Sequence, residues 1–169
     1  SMPDHLVPGL IGSHQERNAM TAIKAVEKLA SDFPVSAIDL FEGIKHTKLP
    51  GRFQTLQWRN REILLDVAHN LAGYDALAAN CRSTFKDNPC DLIFASLDDK
   101  PWREGVELLL PYCKSVHCVP AKSQRSVSPQ DLKNHLKQNK QLSTNAQIEA
   151  YDRLDDCFHQ LNEPSKHPI

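Results

Sequence analysis

The stretch ILLDVAHN, residues 63–70, decides the fold class because it passes from apolar strand residues to polar ones in a single step. The run that ends at Val67 is typical of a buried β-strand. Asp66 lies at the exit of this strand, and His69 and Asn70 follow where a helix is expected to begin. Ligands of open α/β sheets bind outside the carboxyl ends of the strands, so these three polar residues are candidates for a binding site.

The same corner also has a purely structural interpretation. Asp66 and Asn70 are residue types that cap helices, and His69 is then an exposed surface residue. In the functional interpretation, the Asp66 carboxylate accepts hydrogen bonds from ribose hydroxyls, and the free N–H groups at the helix start attract an anion. The residues of this stretch alone leave both interpretations open.

Downstream of this corner, predicted helices and strands alternate. Apolar spacing predicts helices at about 71–81, 103–113, 128–138 and after 152, and strands at 92–97, 116–119 and 147–151. This alternation predicts a Rossmann-like α/β fold, a mostly parallel sheet with helices on both faces. The sequence ends at Ile169, where a further strand is expected to begin, so the sheet is predicted to lack its last strand.

A short helical segment and a β-hairpin are predicted upstream. The first helix runs from about Gln15 to Ala30, and Ser36 caps a second one. The residues expected to face inward are Ala19, Ile23, Val26, Leu29 and Ala30 in the first helix, and Ile38, Leu40, Phe41 and Ile44 in the second. Leu49-Pro50-Gly51 marks a boundary, and a hairpin with a fully buried second strand follows. We therefore predict two domains, residues 1–48 and 49–169.

Composition limits the classes of partner. The 169 residues carry a formal net charge of -1, so no general basic field attracts nucleic acid or an anionic membrane. The sequence contains five cysteines without CxxC spacing, which fits free thiols of a cytoplasmic protein better than a disulfide framework. His117 lies near Cys113 and Cys118, but this spacing matches no zinc site.

Several stretches, in the same order along the chain, resemble one family. They are GSHQERNAMTAI (12–23), LPGRFQ (49–54), ILLDVAHN (63–70), FASLDDKPW (94–102) and VPAKSQRSVSPQDL (119–132). Together they resemble the Mur ligase superfamily and, more narrowly, the folylpolyglutamate synthase/dihydrofolate synthase family of folate-glutamate ligases. The resemblance covers nearly the whole sequence.

The resemblance implies the carboxyl-terminal part of a three-domain enzyme, with residues 1–48 as the helical tail of the central ATPase domain. Such an enzyme uses ATP and Mg²⁺ to activate a carboxylate of dihydropteroate or reduced folate as an acyl phosphate. The amine of L-glutamate then attacks to form an amide. No GxxxxGK[ST] motif occurs here, so the phosphate loop and the metal ligands are expected in a missing amino-terminal domain. The chain alone is expected to be inactive and monomeric.

The resemblance also implies roles for individual residues. ATP contacts are implied for Asn18, Arg52, Asp66 and His69, with Asp66 on the ribose and His69 supporting catalysis. Ser123 and Arg125 are implied for the glutamate pocket. Without the resemblance, Asn18 is an exposed helix residue and Arg52 is one half of a surface ion pair.

Two other functions stay open at this point. A peptidoglycan Mur ligase shares the architecture, although LPGRFQ and DVAHN favour the folate branch. The chain could also be a stand-alone nucleotide-binding or interaction module without ligase chemistry.

Overall fold

The computed structural model describes residues 8–138 and 147–162 of the chain. The chain divides into two compact units, Ser1–Val67 and Ala68–Ile169. This division falls after the hairpin, whereas the sequence predicts a boundary at residues 48/49. The assignment of residues 1–48 and 49–169 to two domains stays a prediction.

The first unit contains two helices, α1 (Ser13–Leu29) and α2 (Ala37–Lys45). The predicted cap of α2 is confirmed, because the Ser36 hydroxyl accepts a hydrogen bond of 3.1 Å from the Asp39 N–H. Their apolar core consists of Ala19, Ile23 and Ile44, with Leu40 and Phe41 packed against it.

Part of the predicted inward faces is exposed. Leu29 is 51% exposed and Ile38 is 75% exposed, so both predictions are wrong. Each residue lies six positions from a buried anchor, Ile23 in α1 and Ile44 in α2. At 3.6 residues per turn, six positions rotate a side chain about 120° away from its anchor. Val26 is half-buried, and Ala30, just beyond the end of α1, is exposed.

The predicted hairpin is confirmed as β1 (Gln54–Trp58) and β2 (Arg61–Leu65), paired antiparallel from Gln54↔Leu65 to Trp58↔Arg61. The prediction of a fully buried second strand is wrong, since Leu65 is 41% exposed. Within the described residues, β2 pairs only with β1 and is not part of the parallel sheet. Asp66 therefore does not follow a strand of the parallel sheet, where open α/β sheets bind ligands.

The second unit confirms the predicted α/β class. Its sheet has the order β3-β4-β5, and both strand pairs are parallel. The strands are β3 (Cys90–Phe94), β4 (Cys113–Cys118) and β5 (Gln147–Ala150). The helices are α3 (Leu71–Phe85), α4 (Trp102–Leu109), α5 (Pro129–Gln138) and α6 (Leu154–Asn162), with a 3₁₀ turn at Leu110–Tyr112. The strand predicted beyond Ile169 lies outside the described residues.

The core of this unit is apolar and completely covered. Val116, Cys118, Leu132, Leu136 and Cys157 each have essentially no exposed surface. Helix α5 packs against β4 and β5. None of the described helices is both long and apolar enough to cross a membrane.

Helices α3 and α4 meet at Gly105, which lies against the ring of buried Tyr74. A Cβ built at position 105 would overlap this ring, so only glycine allows the observed approach. Burial raises the pKa of Tyr74, and a hydrogen bond with Ser96 acts in the opposite direction.

Gly105→Ala is expected to lower the free energy of unfolding by up to about 2 kcal/mol. Overpacking costs about 1–3 kcal/mol, and the gain in helix propensity offsets about 1 kcal/mol of this cost. Gly43→Ala in α2 is the matched control, because its new Cβ meets no atom within 4 Å. It is expected to stabilise the chain by up to about 1 kcal/mol. Urea unfolding of both variants tests this, and an equal effect would contradict it.

A row of hydrogen-bonded polar side chains crosses the sheet of the second unit. The Ser115 hydroxyl donates to the Asp91 Oδ1 at 2.6 Å and lies 2.9 Å from the His117 Nε2. The His117 Nδ1 lies 3.1 Å from the Tyr151 hydroxyl. Because the single Ser115 proton points to Asp91, the Nε2 carries a proton and the Nδ1 accepts from Tyr151. A neutral His117 therefore satisfies all the hydrogen bonds that join Asp91, Ser115, His117 and Tyr151.

Burial lowers the pKa of His117, although the charges of Asp91 and Glu149 partly oppose the shift. The unfolded chain therefore takes up this proton more readily than the folded one, and the free energy of unfolding falls as the pH drops below about 6.5. His117→Gln is expected to flatten this dependence in urea titrations between about pH 7.5 and about pH 5.5. The control His46→Gln, at an exposed site, is expected to retain it.

Candidate functional site

The loop before β1 holds Arg52 between two residues of unusual backbone conformation. Gly51 has a φ of 71° and Phe53 a φ of 46°, both in the left-handed region. The Gly51 N–H donates to the Gln54 Oε1 at 3.0 Å, and the Gly51 carbonyl accepts from the Val67 N–H at 2.9 Å. The backbone on either side of Arg52 is thus fixed, and its side chain is half-buried.

Asp66 contacts this loop directly. Its Oδ2 accepts a hydrogen bond of 2.9 Å from the Phe53 N–H, across 13 residues of sequence. A left-handed backbone costs a non-glycine residue about 1–3 kcal/mol, so it persists only where the surroundings hold it. The carboxylate of Asp66 and the burial of Phe53 provide that hold. The structure therefore brings Arg52 and Asp66 to the same end of the hairpin.

Asn18 lies on the exposed side of α1 and is positioned by a separate set of contacts. Its Nδ2 donates to the Gln15 Oε1 at 3.0 Å, and the Gln15 Nε2 lies 2.8 Å from the His14 Nε2. Gln15 is only 5% exposed, so it fixes the orientation of the Asn18 amide. The sequence analysis did not single out Gln15 as a functional residue, although its place four positions before the apolar Ala19, on the same helix face, was a usable signal.

The residues after Val67 belong to the second unit. The Asn70 Oδ1 accepts from the Gly73 N–H at 2.8 Å and caps α3, so the capping interpretation of Asn70 is confirmed. His69 is exposed and directly precedes this cap. The capping interpretation does not account for the hydrogen bond from the Phe53 N–H to Asp66.

The loops that follow β3 and β4 are joined to each other. Leu97 and Ser126 form an isolated antiparallel bridge, and the Val127 N–H donates to the Ser96 carbonyl at 3.0 Å. The Asp98 N–H donates to the Arg125 carbonyl at 2.9 Å. Both loops leave the carboxyl ends of parallel strands, which is where open α/β sheets bind ligands.

Ser123 and Arg125 lie together in the second of these loops. The Ser123 Oγ accepts from the Arg125 N–H at 3.2 Å. The Arg125 Nη1 donates to the Asp99 Oδ2 at 2.9 Å, and the Arg125 side chain is 60% exposed. The guanidinium is therefore paired with a carboxylate while much of it faces solvent.

Asp99 is a residue that sequence reasoning missed. Desolvation acts to raise its pKa, but the hydrogen bond with Lys100 and the positive charge of Arg125 lower it overall. Asp99 and Arg125 come from different loops, so only the three-dimensional structure reveals the pair. A negatively charged ligand that binds Arg125 must compete with Asp99 for it.

No group of three or more His, Cys, Asp or Glu side chains among the described residues could hold a metal ion.

Asp66→Ala is expected to lower the free energy of unfolding by about 1–3 kcal/mol, because the Phe53 N–H loses a charged acceptor. Asp66→Asn keeps an oxygen acceptor without the charge, so it is expected to cost less. Urea unfolding measures both variants. Equal losses in the two would contradict this expectation and show that a neutral acceptor does not replace the carboxylate.

Comparison with known proteins gives one family. Residues 51–166 match the family model of the Mur ligase, glutamate ligase domain. A dihydrofolate synthase/folylpolyglutamate synthase of Bacillus subtilis is 30% identical over 125 residues, which cover 73% of this chain and 29% of the relative. The chain thus spans less than a third of the length of this relative.

Solved structures show the same fold. The folylpolyglutamate synthase of Mycobacterium tuberculosis complexed with ADP and AMPPCP matches with a TM-score of 0.76 at 22% identity, over 92% of this chain and 34% of that one. A bifunctional folylpolyglutamate synthase/dihydrofolate synthase with Mn, AMPPNP and L-glutamate bound gives 0.70 at 23% identity, over 91% and 34%.

Proposed function

This chain belongs to the family of the Mur ligase glutamate ligase domain and resembles that of folylpolyglutamate synthases, and on this premise we propose that it is the carboxyl-terminal part of an ATP-dependent folate-glutamate ligase. The observation that carries the proposal is the hydrogen bond from the Phe53 N–H to Asp66. It joins LPGRFQ and ILLDVAHN, two motifs of the family resemblance, at one end of the hairpin. The names of the relatives favour the folate branch over a peptidoglycan ligase.

In the proposed reaction, a folate-type carboxylate attacks the γ-phosphorus of ATP and ADP leaves. The amine of L-glutamate then attacks the acyl phosphate, releases phosphate and forms the amide. Positioning and neutralisation of charge supply the rate enhancement in chemistry of this type. No protein nucleophile is needed, which agrees with a candidate site built from Arg, Asp and Asn side chains.

Each candidate residue has a group suited to its part. The planar guanidinium of Arg52 can bridge two phosphate oxygens, which lysine cannot do. Asp66 can accept hydrogen bonds from ribose hydroxyls, and Asn18 offers an oriented amide to the nucleotide. His69 supports the same reaction at the start of α3. Ser123 and Arg125 are proposed to bind the carboxylates of L-glutamate.

Several features of the proposal concern the longer enzyme. The P-loop and the Mg²⁺ ligands are proposed to lie outside this chain, which is then inactive alone. Dihydropteroate or reduced folate is the proposed acceptor. A similar solved structure with Mn, AMPPNP and L-glutamate bound supports ATP and L-glutamate as ligands of the longer enzyme. Cytoplasmic localisation and a monomeric state stay predictions.

The test is an amide-detected NMR titration of the chain with ATP and Mg²⁺. Without a phosphate loop, the expected dissociation constant is about 1 mM or weaker. Shifts are expected at Asn18, Arg52 and residues 66–70. Asp66→Asn is expected to weaken binding about fivefold, because a neutral acceptor replaces a charged one.

Asp155→Asn is the matched control, since it removes an exposed carboxylate from α6. Its binding curve is expected to equal that of the unchanged chain. Equal weakening by both substitutions would show a non-specific charge effect. Shifts confined to other residues would contradict the assignment of this site.

A further inference from the structure

Two of the five cysteines form a pair that no part of the proposed ligase reaction uses. Cys90 is the first residue of β3, and Cys113 is the first residue of β4. They are direct partners in the register of these parallel strands. Neighbouring strands lie about 4.8 Å apart, and the Cα atoms of a disulfide lie about 4.4–6.8 Å apart. The backbone spacing at this pair therefore suits a disulfide.

The local backbone irregularity supports the same conclusion. The register shifts directly after the pair, because Asp91 pairs with Ser115 rather than with Lys114. A shift of this kind bends the strand and interrupts the regular ladder. The backbone at Cys90 and Cys113 is thus less constrained than at the centre of the sheet. At the centre, a change in side-chain geometry would disturb the packed core.

The two thiols also influence each other. Their interaction lowers the pKa of Cys90 and raises that of Cys113. The Cys90 Sγ lies 3.5 Å from the Tyr112 carbonyl, and the Cys113 Sγ lies 3.2 Å from the Leu109 carbonyl. Both residues are half-buried, so a small reagent can approach them.

The remaining described thiols provide the contrast. Cys118 and Cys157 have no exposed surface, and burial raises the pKa of Cys118 to about 12 and that of Cys157 to about 11. Cys81 is 8% exposed. Thiolate character and access decide cysteine reactivity, and Cys90 combines a lowered pKa with a partly exposed position.

We propose that Cys90 and Cys113 form a dithiol site that closes reversibly into an intramolecular disulfide by exchange with a small-molecule disulfide. The Cys90 thiolate attacks one sulfur of the reagent, its S–S bond breaks, and one thiolate leaves. Cys113 then loses its proton to solvent and attacks the Cys90 sulfur, so the second thiolate leaves. The two cysteines are oxidised, and the reagent is reduced to two thiols.

The closed form would join the starts of β3 and β4 and enclose residues 91–112. This segment includes Asp99, the partner of Arg125, together with α4. The inference does not depend on the proposed ligase function, because it rests on the strand register and the thiol contacts alone.

The experiment treats the reduced, folded chain with oxidised glutathione and maps its peptides by mass spectrometry without reduction. A Cys90–Cys113 linkage, with the loss of two free thiols and their recovery in dithiothreitol, is the expected result. Linkage through Cys81, linkage between chains, or no linkage at saturating oxidised glutathione would overturn the proposal. This measurement needs no variant, so it stands even if a substitution impairs folding.

Two variants test the order of the steps. Cys113→Ser is expected to stop at a mixed disulfide of Cys90 with glutathione. Cys90→Ser is expected to leave Cys113 less modified than Cys90 is in the other variant, because burial still raises the pKa of Cys113 when Cys90 is removed. Circular dichroism confirms the fold of each variant. Equal modification of both single variants would overturn the assignment of Cys90 as the attacking thiol.

Discussion

The hydrogen bond from the Phe53 N–H to the Asp66 carboxylate connects the two ends of the hairpin. Phe53 precedes β1 and Asp66 follows β2, so one bond holds the entry and the exit of the same supersecondary unit. It also supports a left-handed residue that is unfavourable by itself. The orientation of Arg52, which lies between Gly51 and Phe53, depends on this support.

Asp66 holds the loop through this interaction and is also the proposed ribose contact, so the two roles must be separated by experiment. A carboxylate has two oxygens and several lone pairs, so it can hold the loop and still accept from a ligand. Removal of the whole side chain would disturb both roles at once. An asparagine keeps the acceptor for the loop and removes the charge, which is why the comparison of the two substitutions is informative.

A similar principle applies to the loops after β3 and β4. Backbone bonds join them, and the Asp99–Arg125 ion pair adds a polar contact at their surface. An exposed ion pair contributes little to stability, because solvent screens it and the side chains lose freedom. The ion pair matters instead for ligand binding, because the Asp99 carboxylate partly neutralises the positive charge that Arg125 offers to an anionic ligand. The same segment would be enclosed by a Cys90–Cys113 disulfide.

The sequence by itself determined the elements whose signals are local. Helical spacing predicted α1 to α6, and Ser36 predicted the cap of α2. These features depend on residues within one or two turns of each other, so a linear pattern contains them. The alternation of helices and strands predicted the α/β class, and five stretches in order along the chain indicated the family resemblance.

The tertiary structure alone decided which surfaces are covered and which distant residues meet. Leu29 and Ile38 are apolar but exposed, because each is rotated about 120° from the buried residue of its helix and no described residue covers that side. Phe53 with Asp66, Asp99 with Arg125 and Cys90 with Cys113 are pairs that no local pattern joins. Strand register and loop pairing bring them together, and both arise only when the chain has folded.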